Sequence, residues 1–302
     1  MKKITQALLL TTLGLTMVTA TGCGSLLSGK SEDEIVVAGK NFTEQDIMAN
    51  VVGILLEENT DLKVTVKSFL GGTDVVFNSM KNGTLDAYVE YTGTGLVNIL
   101  EQKVMSDQDQ VYDVVKQKFS EEFQLEWLEP IGFNNTYALA VTQETAQKYG
   151  LQKVSDLQAH AKHLTFGVEQ EFLERSDGLP GLKKAYGFEF AGTKAMDPGL
   201  KYQALMEDEV QVIDAFSTDG RLVKNHLVIL EDDKKFFPPY YAAPVVREET
   251  VKQHPEVKTE LLKLAGTMDE TEMAELNAQV DVDKRKADDV AREWLKAEGL
   301  IK

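Results

Sequence analysis

The sequence predicts an α/β fold with mainly parallel sheets, and three observations indicate it. Short apolar runs typical of buried strands, such as residues 35–38, alternate with helical patterns along most of the chain. A second region repeats this alternation, with strand patterns at 164–168 and 210–216 and helical patterns near 179–186 and 199–207. From residue 248 onward the chain is rich in Glu, Lys, Ala and Leu, which predicts helices that pack back on the fold.

The first of these regions contains individual start and stop signals. Thr43 and Thr73 can each cap a following helix, and Asn82-Gly83 is a normal helix end. Between the two helices, residues 62–70 have a strand pattern. Residues 85–91 alternate, so that one side of a strand carries the side chains of Leu85, Ala87, Val89 and Tyr91.

Composition limits the class of function. The chain has 302 residues, of which 43% are hydrophobic, and this is enough for one large domain or two lobes. Its formal net charge of −17 argues against nucleic-acid binding, which requires Lys and Arg to neutralise phosphates. We expect a monomer that does not bind nucleic acid, and the acidity by itself identifies no ligand.

The first 22 residues predict a lipoprotein signal peptide. Lys2 and Lys3 precede an uncharged stretch, and small residues lead into Cys23, the only cysteine of the chain. A lipid on Cys23 would anchor the mature chain to the outer face of the cell membrane, with residues 23–33 as a tether. No later stretch approaches the ~20 apolar residues of a membrane helix, so any membrane pore with which the protein works must be another chain.

The sequence has few patterns typical of catalysis or metal binding. His160 and His163 are three residues apart, a spacing that can bind a metal on a helix, but no cysteine lies near them. No Walker loop, GxSxG elbow or cysteine cluster of the zinc type occurs. We therefore predict no enzyme activity, no metal and no cofactor.

Several blocks resemble the substrate-binding lipoproteins of osmoprotectant ABC importers, which bind glycine betaine, choline, carnitine and related compounds. The blocks are 39–45 (GKNFTEQ), 70–95, 132–141 (GFNNTYALAV), 214–221 (DAFSTDGR) and 238–248 (PPYYAAPVVRE). The resemblance implies a type II periplasmic-binding-protein fold, in which two α/β lobes joined by a two-strand hinge hold a ligand between them. It places lobe 1 at 33–137 plus 241–302, and lobe 2 at 138–240.

The resemblance also implies an aromatic cage for a trimethylammonium head. Such a head carries a fixed positive charge without an N–H group, so aromatic faces hold it better than hydrogen-bond acceptors do. The matching positions are Tyr91, Tyr137, Phe216 and Tyr241. Phe216 stands where relatives commonly have Tyr, and Tyr240 is an alternative to Tyr241 because the two are adjacent.

Polar residues in the same blocks are candidates for the ligand's other end. Asp74 is either a residue of a helix's first turn or a cleft carboxylate that favours choline, since choline-selective relatives tend to have Asp there. Gln45, Thr94 and Asn135 can supply polar contacts or serve in caps and turns. Arg175 lies in a segment that resembles one facing the cleft, where it can pair with a ligand carboxylate or form an interlobe or surface salt bridge.

The sequence therefore predicts the binding component of an importer for a choline- or betaine-like compound, working with an ABC permease and ATPase. Two alternatives remain open at this point. The ligand can be ergothioneine, a betaine of thiol-histidine that close relatives take up. A surface scaffold or adhesin would share the lipoprotein start, but would not need aromatic residues at the ends of buried strands.

Overall fold

The computed structural model describes residues 34–302, so the predicted signal peptide, Cys23 and tether lie outside the described residues. The strands in this part are β1 (Glu34–Ala38), β2 (Lys63–Lys67), β3 (Ala87–Tyr91), β4 (Leu125–Trp127), β5 (Tyr137–Val141), β6 (Thr165–Val168), β7 (Gly192–Ala195), β8 (Val212–Phe216), β9 (Val228–Leu230) and β10 (Ala242–Arg247).

The helices between and after these strands cover the faces of the sheets. They are α1 (Thr43–Asn59), α2 (Thr73–Lys81), α3 (Thr92–Thr94), α4 (Gln108–Phe123), α5 (Gln143–Tyr149), α6 (Gln170–Glu174), α7 (Leu179–Tyr186), α8 (Leu200–Met206), α9 (Gly220–Lys224), α10 (Glu248–Gln253), α11 (Pro255–Leu261), α12 (Glu270–Asp281) and α13 (Ala287–Ala297). A π-helical turn at Gly95–Ile99 extends α3, and 3₁₀ turns lie at Val154–Ala159, Ala161–His163 and Leu262–Leu264.

The strands form two five-stranded sheets, ordered β2-β1-β3-β10-β4 and β7-β6-β8-β5-β9. In each sheet one strand, β1 or β6, pairs in parallel with both neighbours. Another strand, β10 or β5, runs antiparallel to both of its neighbours. In each sheet four of the five strands therefore run in one direction, which agrees with the expectation of mainly parallel sheets, and β10 or β5 runs against them. Because β5 and β10 enter their sheets from chain crossings and not from βαβ units, no crossover helix aligns them with their neighbours.

Two crossing segments connect the lobes built on these sheets. The amide of Asn135 donates to the carbonyl of Tyr240 at 3.0 Å, and the amide of Ala242 donates to the carbonyl of Phe133 at 3.2 Å. These bonds hold the two segments side by side as a two-strand hinge, so the predicted two-lobed α/β fold class is confirmed. We propose that the chain passes from one lobe to the other within these segments, near residues 137 and 241.

The C-terminal helices return to the first lobe, as the composition predicts. Helix α1 packs against α11, α12 and α13. In α13 the side chains of Val290, Ala291, Trp294 and Leu295 are buried, which is the spacing of one helical face turned toward a core. Among residues 34–302, no helix combines the length and apolar character needed to cross a bilayer.

Two predicted helix caps are wrong. Helices α1 and α2 begin at Thr43 and Thr73 themselves, and neither hydroxyl caps its own helix. The hydroxyl of Thr43 instead donates to Asp281 at 2.7 Å. That of Thr73 accepts from the ammonium of Lys40 at 3.2 Å and donates to Glu171 at 3.1 Å. Contacts with distant parts of the chain thus take the hydroxyls away from local capping. The predicted end of α2 at Asn82 is confirmed.

Candidate ligand-binding site

A cavity of about 250 Å³ lies between the two sheets and is lined by both lobes. Its volume is just below the ~300–1,000 Å³ usual for small-molecule pockets. Five aromatic side chains form much of its wall: Phe42, Tyr91, Tyr137, Phe216 and Tyr240. The cavity is therefore small and rich in aromatic faces.

The five rings form a continuous series. Phe42 stacks on Phe216 with centroids 5.4 Å apart and also neighbours Tyr91 at 6.3 Å. Tyr137 lies 4.9 Å from Phe216 and meets Tyr240 edge to face at 5.5 Å. Because Phe42 and Tyr91 belong to the first lobe and Phe216 to the second, the series crosses from one lobe to the other.

Strand register explains why three of these rings meet. Tyr91 ends β3 and Phe216 ends β8, and ligands of open α/β sheets bind outside the carboxyl ends of strands. Tyr137 begins β5, which runs antiparallel to β8, and its Cα partner is Phe216. Directly opposed residues on neighbouring strands lie close enough for their side chains to touch.

Tyr240 lines the cavity, whereas Tyr241 is not among the lining residues. The prediction that Tyr241 belongs to the cage is therefore corrected, and Tyr240, the alternative, takes its place. Successive side chains on an extended segment point to opposite faces. Tyr240 and Ala242 pack in the apolar cluster that contains Tyr91, while Ala243 packs in the cluster on the other face of the sheet. Tyr241 therefore points away from the rings.

The hydroxyl of Tyr91 belongs to a buried polar network around Glu44. Tyr91 donates to the Glu44 carboxylate at 2.7 Å and accepts from the side-chain amide of Gln45 at 3.0 Å. Asn135 also donates to Glu44 at 2.7 Å, and Asn135 lines the cavity. Gln45 is buried outside the cavity lining, and its amide also donates to the carbonyl of Val89 at 2.9 Å. Gln45 therefore fixes the position of the Tyr91 ring.

Arg175 lines the cavity but already has a carboxylate partner. Its guanidinium donates twice to Asp177, at 2.8 and 2.6 Å, and once to the hydroxyl of Thr94 at 3.3 Å. Tyr240 donates to the same Asp177 at 2.6 Å. Arg175 therefore forms a buried salt bridge within its own segment and not the interlobe or surface salt bridge of the expectation. Thr94, also in the lining, connects the pair to the first lobe.

Asp74 does not line the cavity, and its side chain is exposed. The hypothesis of a cleft carboxylate is therefore corrected, and Asp74 is a residue of the first turn of α2. In α2 the residues Thr73, Val76, Phe77 and Met80 form the buried stripe. Asp74 follows Thr73 by about 100° around the helix and therefore faces water. Glu171 from the second lobe takes the place near this helix start, where it accepts from the amide of Thr73 at 2.6 Å.

Glu169 is a second carboxylate in the cavity wall. It forms a buried ion pair with Lys201, which also contacts Asp214 at 3.3 Å. Burial raises the pKa of Glu169 to about 7, and the nearby charge of Asp214 adds to this effect while Lys201 opposes it. Glu169 therefore titrates near neutral pH.

Basic groups of the protein also lie over rings of the series. Lys40 is 5.4 Å from the centroid of Tyr91, the guanidinium of Arg175 is 5.5 Å from that of Tyr137, and Lys201 is 5.1 Å from that of Phe216. Each is neutralised by a carboxylate: Lys40 by Glu90 at 2.5 Å, Arg175 by Asp177 and Lys201 by Glu169. A cation that enters the cavity therefore meets basic groups that are each paired with a carboxylate.

The two histidines whose spacing can bind a metal, His160 and His163, lie in different surroundings. His163 is exposed in a 3₁₀ turn, and the ring of His160 packs 5.2 Å from Tyr149. Within the described range 34–302, no cluster of three or more His, Cys, Asp or Glu side chains is arranged to hold a metal ion.

Known proteins of similar sequence and structure define the class. A family profile described as the substrate-binding domain of ABC-type glycine betaine transport systems matches residues 33–297. The carnitine transport binding protein OpuCC of Listeria monocytogenes is 40% identical over 271 residues, which is 89% of this chain and 88% of that protein.

Two further comparisons agree in class. The ergothioneine transport permease/ergothioneine binding protein EgtU of Helicobacter pylori (strain G27) is 38% identical over 89% of this chain, which spans only 48% of that protein. The crystal structure of a glycine betaine/carnitine/choline ABC transporter superposes with a TM-score of 0.73 at 36% identity, covering 89% of this chain and 100% of that one.

The hinged two-lobed fold and the interlobe cavity define a substrate-binding protein of the ABC transport class. More particularly, the chain belongs to the family of substrate-binding domains of ABC-type glycine betaine transport systems. This is a family of transport proteins and not of enzymes.

Proposed function

We propose that the protein captures a trimethylammonium compound between its lobes, with the cationic head among Phe42, Tyr91, Tyr137, Phe216 and Tyr240. The observation that carries the proposal is the convergence of five rings from both lobes on one cavity. Aromatic faces attract a donor-free cation and pack against its methyl groups.

We further propose that a lipid on Cys23 holds the chain at the outer face of the membrane. There the protein delivers its ligand to an ABC permease and ATPase.

The rings alone do not supply the whole affinity. A cation–π contact contributes about 0.5–2 kcal/mol, so five of them contribute roughly 2.5–10 kcal/mol. Only the upper end of this range reaches the about 8 kcal/mol that micromolar binding requires. Contacts with the ligand's other end and closure of the lobes supply the difference. Glu171 supports closure, because it joins the second lobe to the amide of Thr73 in the first.

The charged side chains of the cavity favour a ligand that carries net positive charge. Three acidic residues, Glu169, Glu171 and Asp197, line it together with two basic ones, Lys40 and Arg175. Choline fits this balance. The ergothioneine relative supports a second candidate, since the sequence is almost as similar to it as to the carnitine relative. Ergothioneine has the same trimethylammonium head, so the cage serves both ligands.

Calorimetric titration of the purified mature chain tests this function. The panel is choline, glycine betaine, carnitine and ergothioneine, together with 3,3-dimethylbutan-1-ol, in which carbon replaces the nitrogen of choline. We expect at least one cationic compound to bind at least tenfold more tightly than this neutral analogue. Equal binding of choline and the analogue would refute recognition of the charge, and no binding by any compound would favour a scaffold.

A further inference from the structure

A second cavity, of about 270 Å³, adjoins the first. We call it the acidic chamber. The two cavities share six lining residues, and among these Phe42 and Phe216 are the stacked ring pair. The acidic chamber therefore lies beside the cage, with the Phe42 and Phe216 rings in the walls of both. The residues that line only the chamber include Glu44, Thr218, Asp219, Arg221, Asn277 and Asp281.

More acidic than basic side chains line this chamber. Four carboxylates line it, those of Glu44, Glu169, Asp219 and Asp281, against one basic side chain, Arg221. Arg221 is bound to Asp281 at 2.6 Å, and Glu169 is paired with Lys201. Glu44 and Asp219 form no ion pair with a basic side chain of the described part of the chain. Two carboxylates thus remain without a counter-charge.

Glu44 is held entirely by neutral donors. Tyr91 and Asn135 donate to one carboxylate oxygen, each at 2.7 Å. Thr218 and Asn277 donate to the other, at 2.5 and 3.1 Å. The donors come from both lobes and from α12. This arrangement orients the carboxylate without neutralising it.

The same arrangement leaves two acceptors unused. Asn135 and Asn277 both turn their NH₂ groups toward Glu44, which fixes the orientation of each amide. Their carbonyl oxygens, Oδ1 in both cases, are buried and have no hydrogen-bond partner within residues 34–302. Both residues are more than nine-tenths buried and line the chamber. A buried carbonyl without a donor is costly, so the chamber is complementary to a group that brings N–H donors.

We propose that the acidic chamber binds a cationic group with N–H donors, an alkylammonium or guanidinium, beside the donor-free head held in the cage. Its carbonyl oxygens would accept from the N–H groups, and Glu44 and Asp219 would balance the charge. An organic cation fits better than a metal ion, because no three carboxylate, His or Cys side chains of the described residues converge on one point. The group is either the second head of one ligand or a separate cation.

The experiment uses ¹⁵N-labelled mature chain and follows side-chain amide signals, with those of Asn277 identified by their loss in Asn277→Ala. The first probe is n-propylammonium, titrated with and without saturating choline, and n-propanol is the uncharged comparison. We expect propylammonium to shift the Asn277 signals saturably in both titrations. A shift no larger than that caused by propanol would overturn the proposal, whether or not choline binds. Failure of choline alone to bind would count only against the proposed cage.

Asp219→Asn is the decisive variant, because it keeps an oxygen that can cap α9 and removes one charge. We expect it to weaken propylammonium binding at least fivefold, and Asp113→Asn, at an exposed position of α4, to leave it unchanged. Equal affinity in Asp219→Asn and the native chain would also overturn the proposal.

The second probe, (2-aminoethyl)trimethylammonium, distinguishes a two-headed ligand from a separate cation. If it shifts Asn277 and also displaces choline, one two-headed ligand fills both cavities, whereas a shift without displacement identifies a separate cation.

Discussion

The hydroxyl of Tyr240 donates to the carboxylate of Asp177 at 2.6 Å, and the same carboxylate binds the guanidinium of Arg175 twice. Tyr240 lies in the hinge segment, while Arg175 and Asp177 follow α6 of the second lobe. The bond therefore fixes the Tyr240 ring against Tyr137, with the two rings edge to face. This places an aromatic face at the meeting point of hinge and lobe.

The adjacent pair Tyr240 and Tyr241 provides a matched test of the cage. We expect Tyr240→Ala to weaken choline binding at least tenfold, because it removes a ring of the cavity wall, and a tenfold loss corresponds to about 1.4 kcal/mol. Tyr241→Ala should change the affinity less than twofold. Calorimetry of both variants checks this, and a larger loss in Tyr241→Ala than in Tyr240→Ala would reverse the assignment.

Much of the fold and part of the cage could be predicted from local sequence. Tyr91 and Phe216 end strands whose patterns are visible, and the family blocks place Tyr137 beside them. The choice between Tyr240 and Tyr241 could not be made in this way. Residues 242–246 of the following strand are buried on both faces, so no alternation of polar and apolar residues marks the register.

Glu44 illustrates what the sequence could not reveal. Its place in the first turn of α1 is explained locally by the helix dipole. Its burial depends on Thr218, 174 residues away, and on Asn277, 233 residues away. The sequence does not identify Phe42 for a similar reason, because its stacking partner Phe216 belongs to the other lobe. Contacts made only when both lobes and the C-terminal helices assemble leave no periodic signal.

The ring and the hydroxyl of Tyr91 can be separated by substitution. We expect Tyr91→Ala to weaken choline binding at least tenfold, and Tyr91→Phe to weaken it less because the ring remains. Tyr91→Phe should instead lower the free energy of unfolding by about 1–3 kcal/mol, since the buried Glu44 carboxylate loses one of its donors. Chemical denaturation and calorimetry measure the two effects.

Tyr112→Phe is the control for this pair. Tyr112 donates to the carbonyl of Leu128 at 3.0 Å and lies outside both cavities. Its loss should cost about 1 kcal/mol of stability and leave choline binding unchanged. Native affinity in Tyr91→Ala would remove this ring from the cage.

Asp74 and Glu171 should behave differently although both are acidic residues close to the start of α2. We expect Asp74→Thr to leave the ratio of choline to betaine affinity unchanged, because the side chain faces water. Glu171→Gln should weaken binding of all trimethylammonium ligands by roughly fivefold, about 1 kcal/mol. It weakens a charge-assisted bond between the lobes that is partly exposed to solvent. A change in selectivity in Asp74→Thr would restore the cleft role of this residue.

The affinity for choline should rise with pH between about 6 and 8. The pKa of Glu169 is about 7, mainly because of burial, and the carboxyl lines the cavity. The charged groups facing it are Lys201 from α8, Asp214 from β8 and the neighbouring Glu171. A cation in the cavity favours the ionised carboxylate of Glu169, so binding releases a proton. The affinity for the cation therefore increases as the pH rises. Titration in buffers of different ionisation enthalpy measures the release.

The free energy of unfolding of the ligand-free chain should instead fall as the pH rises from about 4.5 to about 7. The pKa of Glu169 is raised above its ordinary value of 4.5. The folded state therefore holds a proton that the unfolded state has lost, and the stabilisation present below about pH 4.5 disappears as the pH rises through about 7. Glu169→Gln should remove both pH dependences, whereas Glu57→Gln, at an exposed position of α1, should remove neither. A choline affinity that stays constant from pH 6 to 8 in the native chain would show that ligand binding does not change the pKa of Glu169.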